Sequence, residues 1–429
     1  MGQTMTEKII SRAAGQVAVR GDLVWAKVNR VSLIDSSNFP AWADFFNRNQ
    51  ARVWDPSRVV ITFDHLYRTS ANAVGPLPLI RNWARKQSIP LANVFDIGRH
   101  GLSHQVPAEA GFVVPGTVYA AADTQGPTMG AFNCFAFACL DSIPFIMATG
   151  DTWLRVPECI QVVLHGRLPK GVLGKDVYFR LMKDLAGVSE GRVIEFAGEG
   201  IASIPIDVRM AIANGAPHMG ALTMVFPADS HLLNYLAPRV REAFEPAAAD
   251  ADAHYVQTRH YDLADFEQLV SGPNDPNLVQ PLSALEGMPI QAAYIGSCSS
   301  GRLVDLALAA QVMQGRKVAD GVRLVVTPIS SKVQEEAAER GILAVFSKAG
   351  AAVTTPGCGA CFYGNQSPLL LDEGEVCITS SVENWPGRMG SDKASIYLAN
   401  AAVAAASAVE GCIANPAKYY ARDGVAEGG

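Results

Sequence analysis

Short apolar runs rich in valine and isoleucine recur along this chain, separated by segments of helical period. The clearest are RVVITF (58–63), RVIEFAG (192–198), QAAYIGS (291–297) and GVRLVVTPI (321–329). Such unbroken runs alternating with helices are the pattern of parallel sheets covered by helices. After QAAYIGS, the segment GRLVDLALAAQVMQG carries apolar side chains at Leu303, Leu306, Leu308, Val312 and Met313, close to a 3.6-residue repeat. SKVQEEAAERGILAVFSKAG follows the next strand and stops at Gly350, a residue suited to a helix C-cap. Residues 290–350 therefore read as a strand–helix–strand–helix unit of a parallel α/β domain.

At 429 residues, 49 % of them hydrophobic, the chain can build about two to four buried cores. A shift of character near VPECIQVVLHGRLPKG (156–171) and the polar, proline-rich VSGPNDPNLVQPLSALEGMP (270–289) suggest boundaries near 158 and 285. The expected domains are thus 1–158, 159–284 and 285–429. Charged residues make up 18 % and the net charge is −6, which argues against a phosphate backbone as ligand. The most apolar windows, AFNCFAFACL (131–140) and LANAAVAAASAV (398–409), fall short of the ~20 residues of a membrane span and read as buried helices. MGQTMTEKIISRAAGQ reads as the start of an amphipathic helix and lacks the apolar centre of a secretory leader, so the expected location is the cytoplasm. The closing ARDGVAEGG reads as a disordered tail.

The eight cysteines lie at 134, 139, 159, 298, 358, 361, 377 and 412. In a large chain without a leader they argue for metal, redox or burial rather than a disulfide framework. Cys298 stands where a buried strand stops in small residues and a helix begins, a setting that favours a thiolate. Cys358 and Cys361 stand in PGCGAC, whose glycines let the backbone approach a bulky ligand. Spacing alone leaves a structural zinc, a redox pair and two inert thiols all open. However, no fourth Cys or His partner is evident, and no thioredoxin-like context surrounds the pair. Three thiolates from two such turns could also hold three irons of a cubane cluster, leaving the fourth open to water or substrate oxygen. Cys134, Cys139, Cys159, Cys377 and Cys412 lie in apolar context and read as small buried hydrophobes.

A wider pattern joins these features. MTEKIISRAAG, RVWDPSRVVITFDHL, HQVPAEAGFVVPGT, TMGAFNCFAFA, TWLRVPE, GRLPKGVLGKDV, YIGSCSSGR, TPGCGAC, PGRMGS and ANAAVAAASAVEG occur in this order between residue 1 and about 416. Together they resemble the aconitase family, in particular its 3-isopropylmalate dehydratase large subunits. The resemblance implies three α/β/α domains around a central iron–sulfur site at their junction. It also implies a 4Fe-4S cluster on Cys298, Cys358 and Cys361, and a hydro-lyase that dehydrates and rehydrates a small hydroxy acid. By the same resemblance Asp64 and His65 match a carboxylate and the imidazole it orients for proton delivery to the departing hydroxyl. His104 and Asp123 match a pair near the iron-bound water, Arg388 a carboxylate-binding arginine, and Asn214 a site asparagine.

Several positions depart from the family pattern. Asp123-Thr124-Gln125 stands where the family has Asp-Ser-His, and His218 where it has a glutamate; an imidazole–amide hydrogen bond could compensate for the lost pair. Ile34 replaces a polar residue, Val382 an asparagine, and Glu383 an arginine that binds substrate carboxylate. The last change alters local charge by two units and would repel an acid group. The expected substrate therefore differs from isopropylmalate and citrate: it has one carboxylate fewer, or an amine or neutral polar group toward Glu383, with an apolar group toward Ile34. The family also requires a swivelling domain that brings a catalytic serine and further arginines, and residues 417–429 cannot contain it. A separate small subunit is expected as partner. The rival reading is a protein that keeps the cluster fold for binding, sensing, isomerisation or decarboxylation. Retention of Asp64, His65, His104, Asp123 and Arg388 favours the hydro-lyase.

Overall fold

The structure, a computed structural model, describes residues 2–65, 76–240, 242–362 and 367–420. The tail ARDGVAEGG expected to be disordered lies outside them. The chain forms two compact units, Met1–Arg167 with Asp184–Asp265, and Leu168–Lys183 with Phe266–Gly429.

In the first unit β1 (Leu23–Lys27) pairs antiparallel with β7 (Asp151–Arg155). Two parallel sheets make up the rest. One comprises β2 (Arg30–Ile34), β3 (Val59–Thr62), β4 (Val94–Phe95), β5 (Val118–Ala121) and β6 (Phe135–Ala138), in the order β4-β3-β2-β5-β6. The other holds β8 (Cys159–His165), β9 (Val193–Ala197), β10 (Thr223–Val225) and β11 (Gln257–Asp262), ordered β10-β9-β8-β11. Every residue of β2, β3 and β5 is buried, as in parallel strands covered on both faces.

The opening helix, Met5–Ala14, carries a capping box between Thr4 and Glu7 and ends at Gly15 in the left-handed region. Its first N–H groups are also claimed from the second sheet. Buried Glu195 of β9 accepts from Met5 N–H at 3.1 Å and Thr6 N–H at 2.7 Å, setting an acidic side chain at the helix end that the dipole makes positive.

The second unit contains a seven-stranded sheet of β12 (Leu269–Ser271), β13 (Val279–Pro281), β14 (Ala292–Ile295), β15 (Arg323–Val326), β16 (Ala352–Val353), β17 (Val376–Thr379) and β18 (Ser395–Leu398). Its order is β13-β12-β18-β17-β14-β15-β16. The strands from β18 to β16 run parallel, and β12 is antiparallel to both its neighbours. The sheets are thus largely parallel, as expected from the alternating pattern. Each of the segments 1–158, 159–284 and 285–429 contributes one parallel array, with β12 and β13 joining the sheet of the third.

Two local expectations change. AFNCFAFACL is not a helix: a 3₁₀ segment, Gly126–Phe132, leads into β6, because a short run with alternating phenylalanines suits a strand better than a helix. The segment after β15 forms two helices, Ser331–Glu339 and Ile342–Ala349, broken where Gly341 adopts φ +71°. The second stops at Gly350 with φ +98°, as expected. The alanine-rich run does form a buried helix, Ala401–Glu410. Among the described residues no helix is long and apolar enough to cross a membrane.

A buried carboxylate pins the second unit together. Asp176, fully enclosed in helix Gly174–Asp184, accepts from Leu173 N–H at 2.8 Å, Leu269 N–H at 3.1 Å and Asn400 Nδ2 at 2.8 Å. Burial raises its pKa to about 6, against the pull of those donors. Asp176→Ala strands all three, so a loss of about 3–5 kcal/mol is expected. Urea unfolding followed by circular dichroism would register it as a lower midpoint, and a loss below about 1 kcal/mol would contradict this role.

Candidate functional site

Parallel strands deliver their carboxyl ends to one edge, where loops can carry chemistry without disturbing the sheet. In the first unit that edge bears Asp35 after β2, Asp64 and His65 after β3, and Asp123 after β5. Asp35, Asp64, His65 and His104 are all buried. Asp35 Oδ1 accepts from the backbone N–H groups of Asp64 and His65 at 2.8 and 2.9 Å and lies 3.2 Å from His65 Nδ1. The carboxylate on the His65 ring is therefore that of Asp35, a residue the sequence reading passed over. Burial alone would lower the His65 pKa, yet the Asp35 hydrogen bond and the charges of Asp35, Asp64 and Asp123 raise it.

Asp64 faces the opposite balance. Thr62 Oγ1 donates to its Oδ1 at 2.5 Å and Ser103 N–H to its Oδ2 at 2.8 Å. Complete burial, with Asp35 and Asp123 nearby, still raises its pKa to about 7, although His65 and Thr62 act to lower it. The surroundings can accommodate the proton: a protonated Asp64 can donate to Thr62 Oγ1 while the threonine hydroxyl turns to Leu33 C=O, 3.2 Å away.

His104 Nε2 stands 3.2 Å from Asp123 Oδ1, with Ser103 Oγ 3.4 Å from its Nδ1. Donor atoms of Asp64, His104 and Asp123 lie within 4.8 Å of one another, so the three sequence-predicted residues share one small volume. Gln125 N–H donates to Asp123 Oδ1 at 2.9 Å. A hydrogen-bond chain continues from Gln125 C=O through Thr128 Oγ1 (2.7 Å) to Asn214 Nδ2 (2.9 Å). Gln125 Nε2 is buried with no hydrogen-bond partner among the described residues, so the expected imidazole–amide bond with His218 is not made from that atom. His218 itself is half-buried in the turn Ala216–Met219, and Ile34 closes β2 as a buried apolar residue.

The second unit repeats the logic with sulfur. Cys298 follows β14, Cys358 and Cys361 follow β16, and Val382 and Glu383 follow β17. Cys298 and Cys361 are buried and Cys358 half-buried. The turn between the paired cysteines requires Gly359: it has φ +59°, and a Cβ there would sit 2.2 Å from Tyr294 Oη. Cys358 donates to Cys361, which lowers the Cys361 pKa well below the usual thiol range; Arg388, a Ser297 hydroxyl bond and the Val382 N–H act the same way. The Cys358 thiol is correspondingly pushed up.

Lys175, fully buried, was missed although it lies within GRLPKGVLGKDV. Its Nζ donates to Ser381 C=O at 2.6 Å and to Tyr178 Oη at 3.3 Å. That carbonyl belongs to the same peptide group whose N–H, on Val382, points at Cys361. Burial lowers the Lys175 pKa to about 8, against the raising influence of Cys298, Cys361, Asp176 and Asp305.

Arg388 Nη2 is bonded to Glu383 Oε2 at 2.9 Å, both side chains being mostly buried. Burial would lower the Arg388 pKa, but Cys361 and Glu383 raise it. Glu383, expected as an unpaired charge, is thus paired inside the protein. The path of the loop between them brings the two together, and no spacing in the sequence encodes it. Among the remaining cysteines, burial raises the thiol pKa of Cys134, Cys139, Cys159 and Cys377.

The Asp64 environment has a measurable consequence. Between about pH 4 and about pH 7 the folded chain holds a proton that the unfolded chain has released, so stability falls as pH rises through this window and levels above it. Asp64→Asn should remove that slope. Urea titrations from pH 5 to 8 are expected to show the variant gaining on the wild type up to pH 7, by about 3 kcal/mol at most. Parallel pH profiles would refute the assignment.

The pattern that defines the family described as Aconitase family (aconitate hydratase) matches residues 7–286 and 282–411. A 3-isopropylmalate dehydratase large subunit 1 of Methanopyrus kandleri is 38 % identical over 98 % of this chain and 100 % of its own length. A probable methanogen homoaconitase large subunit of Methanothermobacter thermautotrophicus is 38 % identical over 96 % of this chain and 97 % of its own. Among solved structures, aconitase X of Thermococcus kodakaraensis in its holo form aligns over 83 % of both chains with a TM-score of 0.47 and 11 % identity.

Proposed function

The chain belongs to the aconitase family, and from that premise we propose that it is the cluster-bearing large subunit of a heteromeric hydro-lyase acting on a small hydroxy acid. The gathering of Cys298, Cys358 and Cys361 beyond the carboxyl ends of β14 and β16 carries this reading. Their chemistry suits an iron–sulfur cluster: Cys361 is biased toward the thiolate by Cys358, by Ser297, by the Val382 N–H and by Arg388. A 4Fe-4S cluster with one iron free of protein sulfur supplies, when bound, a Lewis acid for hydroxyl or carboxylate oxygen. Two relatives are named as large subunits, which supports a separate small subunit.

The first unit supplies proton handling. His65, its ring fixed by Asp35 and its pKa raised, is suited to give a proton to a departing hydroxyl. Asp64, poised near neutrality, can exchange one at the same edge, and Asp123 orients His104. Gln125 Nε2, without a protein acceptor among the described residues, is a donor suited to a substrate oxygen.

The Glu383–Arg388 pair supports a substrate unlike isopropylmalate or citrate. An arginine already bonded to an internal carboxylate is a poor receptor for a second one. The preferred acid has one carboxylate fewer, or a neutral or amine group toward Glu383.

Two measurements test this. Anaerobic reconstitution should yield about four irons and four sulfides per chain, with Cys358→Ser losing cluster content; material without iron or sulfide would refute the cluster. With a small subunit supplied, the wild type is expected to process citrate and isopropylmalate poorly, and Glu383→Arg to raise kcat/KM for them by about tenfold or more, the worth of one charge-assisted bond. Ordinary efficiency of the unaltered chain on either acid would overturn the substrate reading.

A further inference from the structure

The opposite, amino-terminal edge of the first parallel sheet carries a second concentration of charge. Arg30 opens β2, Arg58 immediately precedes β3, and Ala92 and Asn93 precede β4. These residues, with Arg99, Arg239, Phe95, Phe112 and Glu242, line a cavity of about 520 Å³, within the range of small-ligand sites. Four guanidinium groups face one carboxylate in the lining, an excess of three positive charges in a chain whose net charge is −6.

That carboxylate is already committed. Glu242 bonds Arg30 Nη2 at 2.5 Å and Arg58 Nη1 at 2.7 Å. Asp55 lies 3.8 Å from Arg58 Nε and is not part of the lining. Arg30 is buried and anchored, donating to Phe112 C=O at 3.2 Å and Ser57 C=O at 2.8 Å. Arg99 lies 4.8 Å above the Phe95 ring with one N–H on Ala92 C=O, and Arg239 lies 3.9 Å above Tyr235 with one N–H on its carbonyl. Arg239 Nε is buried with no hydrogen-bond partner among the described residues. Burial depresses the Arg30 pKa; Glu242 opposes this, and the neighbouring Arg58 charge adds to it.

We infer that this arginine-lined cavity binds a compact, multiply charged oxyanion of the phosphate class. Planar guanidinium forks match tetrahedral oxyanions by paired N–H···O bonds, and fixed forks lose little freedom on binding. The cavity and the Asp/His cluster occupy opposite ends of β2 and β3, so the bound anion is not the reacting acid.

Calorimetric titration of the full-length chain, purified anaerobically with its cluster, tests this with inorganic phosphate and pyrophosphate at constant ionic strength, chloride serving as control. Saturable binding is expected, weakened about tenfold or more in the double variant Arg99→Gln/Arg239→Gln, since each lost charge-assisted bond is worth about 1.5–3 kcal/mol. Glu242→Gln, which removes the competing carboxylate, should bind tighter, and Arg388→Gln should bind as the wild type does. Circular dichroism melting establishes that each variant is folded; if the double variant is not, Glu242→Gln and the single variants decide. Binding unchanged in the double variant, lost in Arg388→Gln, or no different from the chloride response would overturn the assignment.

Discussion

Three carboxylates and two imidazoles share one edge of the first parallel sheet, and nearly all of them are out of water. Like charges in such a place cannot all be ionised, so the protein must distribute protons rather than simply hold ions. The distribution follows from hydrogen bonds. Asp35 Oδ1 accepts two backbone N–H groups and lies beside His65 Nδ1, and its hydrogen bond and charge raise the His65 pKa. Asp64, with two donors and two anionic neighbours, is left near its midpoint at neutral pH. This arrangement gives adjacent residues opposite roles without any difference in chemical type between the acids.

In the second unit the organising element is a peptide group. Lys175 grips the oxygen of the Ser381–Val382 link, and the nitrogen of that link faces Cys361. A cation at one end of an amide polarises the other end, so a buried lysine with no direct bond to sulfur can strengthen the donor that sulfur receives. Asp176, one residue on, fixes the helix that carries this lysine. Structural and chemical demands therefore meet in the two neighbouring residues of the GKDV segment.

Much of this was legible in the residues. Apolar runs rich in valine and isoleucine located β3, β9, β14 and β15, and the glycine-flanked cysteines stood out as a candidate ligand site. Asp64, His104 and Asp123 could be picked out, and they do converge. Asp35 could not, because a single aspartate after a strand looks like any turn residue until its three partners are seen. Lys175 escaped for a related reason: a lysine is read as solvent-facing unless its surroundings are known. AFNCFAFACL was read as helix because burial hides the distinction between periods in so short a run. The pairing of Glu383 with Arg388 depends on the path of the loop between them, which local pattern does not specify.

On the role proposed above for Arg388, that last pair makes it a receptor with its own tethered competitor. A side chain five positions away along the same loop presents its carboxylate at an effective concentration on the order of millimolar or more, regardless of how dilute the surrounding acids are. An external carboxylate therefore gains access only by displacing a partner that never diffuses away. On the proposed reading, selectivity against a second carboxylate would rest on intramolecular occupancy rather than on steric exclusion.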